Sequence, residues 1–182
     1  MTLVAGVISG NKVILVGDRS ALDPEDLSVE SITQKKVFKR GELVFGGAES
    51  FRMLQLLEHV FEPPVLDTDN VPRYLVTKFV PELRELMTDN GFNESGDEAS
   101  PPGPLLVGAR GRLFLIQGDY AVLESTDVFN AIGLGKTAFF GAMRALDAAV
   151  PEIAPYYRLM TAIEASAAST FAVTSPFDMV ST

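Results

Sequence analysis

Short apolar runs separated by turn residues dominate the first fifty positions. The first two runs flank the turn Ser9-Gly10-Asn11, and their continuous apolar character is typical of strands that are covered on both faces. A second pair of runs is joined through Arg40-Gly41, after a polar loop over 23–33. The pattern predicts two successive β-hairpins. Their strands cover 2–8, 12–18, 36–38 and 42–45.

Helical periodicity follows these hairpins and returns near the end of the chain. Ser50 precedes the first helical stretch as a candidate N-cap, and Asn70 precedes the second. Pro81 lies inside the second stretch, where a proline should kink or split the helix. The predicted helices cover 49–61, 71–89, 137–149 and 152–168. The predicted later strands cover 105–108, 112–116, 121–124, 130–133 and 170–174.

The order of these elements predicts the fold class. Pairs of helices alternate with groups of strands that connect as hairpins, and strictly alternating strand–helix units, which would indicate a parallel sheet, are absent from the pattern. Two stacked antiparallel sheets with a helical layer outside each fit this order. We therefore expect an α+β protein that forms a four-layer αββα sandwich, with a single domain over 1–182. A Gly- and Pro-rich segment, 91–104, is expected to be a loop within that domain.

Composition and charge narrow the classes of function. Hydrophobic residues make up 47% of the chain, which predicts a globular core. The formal net charge is −9, and so acidic a surface disfavours nucleic acid and anionic lipid as partners. There is no cysteine and no apolar segment of membrane-spanning length. These features predict a cytoplasmic protein without a cofactor or a metal site.

The single histidine limits the kinds of catalysis that the chain can perform. A Ser-His-Asp triad would have to use His59, which lies in the apolar run 51–61 without a carboxylate motif nearby. We interpret His59 as an ordinary residue on the surface of a helix. A mechanism that needs no histidine fits this sequence better.

Thr2 offers such a mechanism, because an N-terminal threonine carries its own base. Removal of Met1 would leave a free α-amino group with a pKa of roughly 7.7–8.0, which can accept the proton of the threonine hydroxyl. Asp18 ends the return strand of the first hairpin, and Lys36 precedes the third strand. A lysine beside the hydroxyl would lower its pKa, and an aspartate would keep that lysine charged. Gly46-Gly47 could offer a backbone N–H to an oxyanion.

These residues also carry a resemblance to a known family. In order along the chain, the sequence resembles proteasome β-subunits and the HslV-type peptidase, members of the N-terminal nucleophile (Ntn) hydrolase superfamily. The matching segments are Thr2–Val7, Val13–Arg19, Lys35-Lys36-Val37, Phe45-Gly46-Gly47 and Ala131–Gly135.

The resemblance implies a role for each of these residues. Thr2 would be the nucleophile, Asp18 and Lys36 would tune it, and Gly46 (or Gly47) would supply the oxyanion N–H. The implied reaction is hydrolysis of peptide bonds through an acyl-enzyme on the threonine oxygen. The implied partners are a polypeptide substrate, identical subunits that form a closed ring, and an ATPase that unfolds substrates.

Two departures from the family pattern favour a different interpretation. Leu134 stands where the family has a serine, and the alignment places Ser169 or a neighbouring alanine where the family has an aspartate near the end of the last helix. Leucine can neither donate nor accept a hydrogen bond. A retained Met1 would also convert the amine into an amide. The alternative is a catalytically silent subunit with a structural or assembly role, such as a ring former in a phage particle. A third hypothesis is an Ntn amidohydrolase that acts on small amides.

Overall fold

The structure of the protein is a computed structural model that describes residues 3–23, 25–92 and 102–182. The strands in these ranges are β1 (Leu3–Ser9), β2 (Lys12–Asp18), β3 (Ser20–Leu22), β4 (Val29–Ser31), β5 (Val37–Arg40), β6 (Leu43–Gly47), β7 (Leu105–Ala109), β8 (Arg112–Ile116), β9 (Val122–Glu124), β10 (Phe129–Gly133) and β11 (Phe177–Ser181). The helices are α1 (Phe51–His59), α2 (Val71–Tyr74), α3 (Val80–Asp89), α4 (Lys136–Ala149) and α5 (Pro155–Ser169). Thr2 and most of the predicted loop 91–104 lie outside the described residues.

Two antiparallel sheets form the centre of the molecule. One has the strand order β10-β1-β2-β11, and the other has the order β5-β6-β7-β8-β9. Val4, Val13 and Leu15 of the first sheet pack against Val44 and Leu106 of the second, and all are buried. The continuous apolar runs of the sequence follow from this arrangement, since both faces of the central strands are covered.

A helical layer covers the outer face of each sheet. Phe139 and Met143 of α4 and Leu159 of α5 are fully buried against the β1 sheet. Helices α1 to α3 cover the β6 sheet through a separate apolar cluster that includes Phe45 and Phe79. The predicted four-layer αββα sandwich is confirmed. Within the described ranges, no helix is both long and apolar enough to span a membrane.

The predicted helix over 71–89 is interrupted, as the position of Pro81 suggested. Asn70 caps α2 by accepting a hydrogen bond from the Arg73 amide at 3.2 Å. A π-helical turn, Leu75–Phe79, separates α2 from α3, and Pro81 falls in the first turn of α3. Proline has no N–H and crowds the preceding turn, which accounts for a change of hydrogen-bond pattern directly before α3.

Two sequence-based assignments were wrong. The segment 23–33 was expected to be a loop, but it contains β4, which pairs with β3. The last strand was expected at 170–174, whereas β11 lies at Phe177–Ser181 and pairs with β2. Residues 170–174 are apolar because Ala172 and Val173 are buried after α5 ends, and burial in a turn gives the same apolar signal as a strand.

Candidate active site

Asp18 is held at the end of β2, beside the beginning of β1. The register of the first hairpin pairs Val4 with Gly17, so the next residue of β2 reaches the first described residue of β1. The Leu3 amide donates a hydrogen bond to Asp18 Oδ1 at 2.9 Å. The Asp18 side chain is fully buried. The hairpin therefore places a carboxylate directly beside the residue that follows Thr2.

Lys36 comes to the same point from the second sheet, one residue before β5 begins. Its Nζ lies 3.2 Å from Asp18 Oδ1, and the two side chains are 1% and 0% exposed. Lys36 Nζ also donates to the Ser20 carbonyl at 2.6 Å. Lys35, the residue before it, is exposed.

Burial and the carboxylate act on the lysine in opposite directions. Loss of hydration lowers the pKa of Lys36 from its ordinary value of 10.5, and the charge of Asp18 opposes that shift. The net direction is downward. A buried ammonium with a lowered pKa gives up a proton more readily than a surface lysine does. Such perturbed groups concentrate at functional sites.

Ser20 completes the cluster, although no motif in the sequence indicated it. Its backbone amide donates to Asp18 Oδ2 at 3.2 Å, and its hydroxyl lies in hydrogen-bond contact with the same oxygen. The hydroxyl also lies 2.8 Å from the Ala172 carbonyl, which follows α5. Because one hydroxyl carries one proton, it can donate to only one of these acceptors at a time. Ser20 thus links Asp18 to the turn behind the last helix.

The two candidate glycines of β6 have different surroundings. The Gly47 amide donates to the Lys36 carbonyl at 3.0 Å, so it is used within the sheet. Strand alternation directs the Gly46 amide to the other side of β6, where Gly46 pairs with Leu106. An added Cβ at Gly46 would lie 2.8 Å from the Lys36 carbonyl oxygen and 2.9 Å from Val4 Cγ1. Close packing between the sheets is therefore one reason for a glycine at this position.

Gly46→Ala is expected to lower the free energy of unfolding by about 1–3 kcal/mol, since no flexible side chain can yield to the new methyl group. Gly141→Ala in α4 is the matched control, because a Cβ there meets nothing within 4 Å. That change should be neutral or stabilising by up to about 1 kcal/mol. Thermal melts of the two variants measure the difference. Equal melting temperatures would contradict the packing around β6.

Three other residues discussed in the sequence, Leu134, Ser169 and His59, make no described contact with the Asp18–Lys36–Ser20 cluster. Leu134 follows Gly133, the partner of Leu3 in β10, and is 50% exposed. The Ser169 hydroxyl donates to the Ala165 carbonyl of its own helix at 2.6 Å and is exposed. The His59 side chain is 69% exposed at the end of α1. Among the described residues, no group of three or more His, Asp or Glu side chains could hold a metal ion.

No protein-family model matches the sequence, and no curated protein matches it either. Solved structures do. BPH from Thiobacillus denitrificans, solved in complex with epoxomicin, superposes with a TM-score of 0.77 at 19% identity, over 99% of this chain and 97% of that one. HslV from Trypanosoma brucei gives 0.69 at 20% identity, over 98% of both chains. Anbu from Pseudomonas aeruginosa, solved as a helical assembly, gives 0.64 at 13% identity, over 99% of this chain and 80% of that one. At these identities the likeness establishes the fold, which is that of the proteasome- and HslV-type Ntn hydrolases.

Proposed function

We propose that the protein is an N-terminal-threonine peptidase of the proteasome and HslV type, with Thr2 as its nucleophile. The observation that carries the proposal is the buried Lys36–Asp18 pair at the start of β1. Burying two charges costs free energy that a well-packed apolar pair would avoid, so stability is a weak reason to keep them. Consecutive Cα atoms are about 3.8 Å apart, so the residue before Leu3 is within reach of this pair.

In the proposed reaction, the free α-amino group of Thr2 accepts the proton of its own hydroxyl. The Thr2 oxygen then attacks the carbonyl carbon of a peptide bond. A backbone amide, which the resemblance assigns to Gly46 or Gly47, would stabilise the oxyanion. The ammonium of Lys36 would lower the pKa of the hydroxyl. Collapse of the intermediate releases the amine with the transferred proton and leaves an ester on Thr2. Water then hydrolyses the ester and restores the hydroxyl.

Mass spectrometry of the intact protein tests whether Met1 is removed, which this chemistry requires. We expect the purified chain to lack Met1, because threonine is small enough for the initiator methionine to be removed. Hydrolysis of short fluorogenic peptides is then expected, with epoxomicin, the ligand in the BPH structure, as an inhibitor. Full retention of Met1 in a protein without turnover would reject the proposal.

A silent structural subunit is the second candidate, and Leu134 favours it. An apolar, half-exposed side chain stands beside the partner of Leu3, where the family has a hydrogen-bonding serine. Ser169 bonds to its own helix and offers no replacement. This candidate predicts the same fold and assembly with no turnover after Met1 has been removed. The two candidates therefore differ in one measurement, peptide hydrolysis by the trimmed chain.

We also propose that the chain works in the cytoplasm as a closed homo-oligomeric ring, fed with polypeptides by an ATPase. Of the large apolar residues on α4 and α5, Phe139, Met143, Leu159 and Ile163 belong to the core. Two other large apolar side chains, near the two ends of α5, stay exposed. Tyr157, whose ring contacts the ring of Tyr156, is still 64% exposed, and Phe171 is 59% exposed. Burial between subunits would account for them.

Light scattering at micromolar concentration should give a mass several times the 19.6 kDa of one chain. Tyr157→Asp is expected to lower that mass, because a charge would then have to be buried between subunits. Glu152→Asp, an exposed and conservative change near the same helix, should leave it unaltered. A wild-type protein that scatters as a monomer would rule out the ring.

A further inference from the structure

A cleft of about 580 Å³ opens between the two sheets on the side of β1 away from Lys36. Its volume is in the range of pockets that hold small ligands or side chains. The cleft runs between β8 of one sheet and β10 of the other, and it includes Gly133, the partner of Leu3. It therefore adjoins the position from which Thr2 would act.

Apolar atoms form more than half of the surface of the cleft. Leu115, Ala131 and Ile132 form part of its lining, together with Pro104. Leu134 stands on the wall and is 50% exposed, although an apolar side chain in a concave site gains from being covered. The residue that departs from the family pattern is thus also the one that makes this wall hydrophobic.

Two charged residues of opposite sign stand at the edges of the cleft. Glu49 and Lys136 are both exposed, and neither forms an ion pair with another described residue. The Glu49 backbone has a φ of 81°, which a residue other than glycine rarely adopts. Gly103 packs tightly against this junction, since an added Cβ would lie 2.0 Å from the Ala48 carbonyl oxygen. The fold therefore holds Glu49 at the rim in a strained conformation.

We infer that this cleft binds an apolar side chain of the peptide substrate, next to the bond that Thr2 attacks. This inference rests on the proposed function, since it assumes a peptide substrate. Binding of a peptide to the cleft can nevertheless be measured without catalysis. Glu49 and Lys136 would face the polar groups of the bound peptide at the rim. The predicted specificity is for substrates with a large apolar residue at that position over substrates with a small polar one.

The chain contains no tryptophan, so a peptide with one tryptophan reports its own binding by fluorescence. The Thr2→Ala variant, which cannot turn the peptide over, is titrated into an acetylated tetrapeptide that carries the tryptophan. We expect a saturable blue shift, as the indole leaves water. Adding Leu134→Asp should weaken binding by about tenfold or more. Adding Val76→Asp, an equally exposed apolar position on the π-helical turn, should not change it.

Absence of saturable binding, or equal affinity with and without Leu134→Asp, would overturn the inference. Its failure is distinct from that of the proposed function. If the wild type hydrolyses fluorogenic peptides but Leu134→Asp alters neither binding nor the preference for apolar substrates, only the cleft assignment fails. If the indole binds in a Leu134-dependent way and no peptide is ever cleaved, the cleft stands and the peptidase fails.

Discussion

Replacing Thr2 with alanine is expected to reduce peptide hydrolysis by about 10⁴-fold or more, to the background of the assay. The hydroxyl is the only nucleophile in the proposed mechanism, and its own amine is the base, so no other residue could take over either role. Alanine is also small enough for Met1 to be removed, which keeps the new N-terminus comparable. The variant should keep the oligomeric mass and the melting temperature of the wild type.

A second variant separates the hydroxyl from the amine. Inserting a lysine between Met1 and Thr2 blocks removal of the methionine and leaves the threonine hydroxyl in the chain. If the free amine is the base, this variant should be as inactive as Thr2→Ala. Thr2→Ser keeps both groups and should retain measurable turnover. Full activity in Thr2→Ala, prepared free of contaminating peptidases, would remove Thr2 from the mechanism.

The sheets and helices could be predicted because the core imposes its pattern on long segments. Strands β1 and β2 are covered on both faces, so Val4, Val13 and Leu15 form part of unbroken apolar runs. Ser50 caps α1 by accepting a hydrogen bond from the Met53 amide, which is a local interaction readable from sequence. Elements with a strong local signal or a continuous buried face were therefore found.

The missed elements owe their structure to distant partners. β3 and β4 have three residues each and pair only with one another, and Val29–Ser31 contains two exposed residues. β11 is partly exposed along its length and exists because it pairs with β2, far away in the sequence. Neither carries a periodicity long enough to predict a strand. Pairing with another part of the chain, rather than a local pattern, therefore determines that these segments form strands.

The candidate site divides in the same way. Asp18 and Lys36 could be proposed because a resemblance to a known family gave their spacing from Thr2 a meaning. Ser20 could not be proposed, since a serine two residues after an aspartate is common in any sequence. Its significance comes from the Ala172 carbonyl, 152 positions away along the chain. A contact of that range becomes visible only when the fold is known.

Removing the Lys36 side chain should be the most damaging single change to stability. In Lys36→Ala, Asp18 keeps the amides of Leu3 and Ser20 and the Ser20 hydroxyl but loses the ammonium of Lys36. Removing one partner of a buried ion pair costs on the order of 3–5 kcal/mol, which is a large part of a domain's free energy of unfolding. Any peptidase activity should fall with it, because the charge that lowers the pKa of the Thr2 hydroxyl is lost.

Lys35→Ala is the matched control, since it removes the same side chain from the exposed neighbouring position. Its melting temperature and activity should stay close to those of the wild type, because a surface charge contributes about 0–1 kcal/mol. Lys36→Met separates charge from volume: it fills the space but removes the positive charge beside Asp18, so it should be destabilised nearly as much as Lys36→Ala. Thermal melts of the three variants measure the contribution of the ion pair to stability, even if the protein proves to be inactive. If Lys36→Met has the melting temperature of the wild type, the ion pair with Asp18 contributes nothing to stability, and the neutral hydrogen bonds from Leu3 and Ser20 are enough to hold the carboxylate.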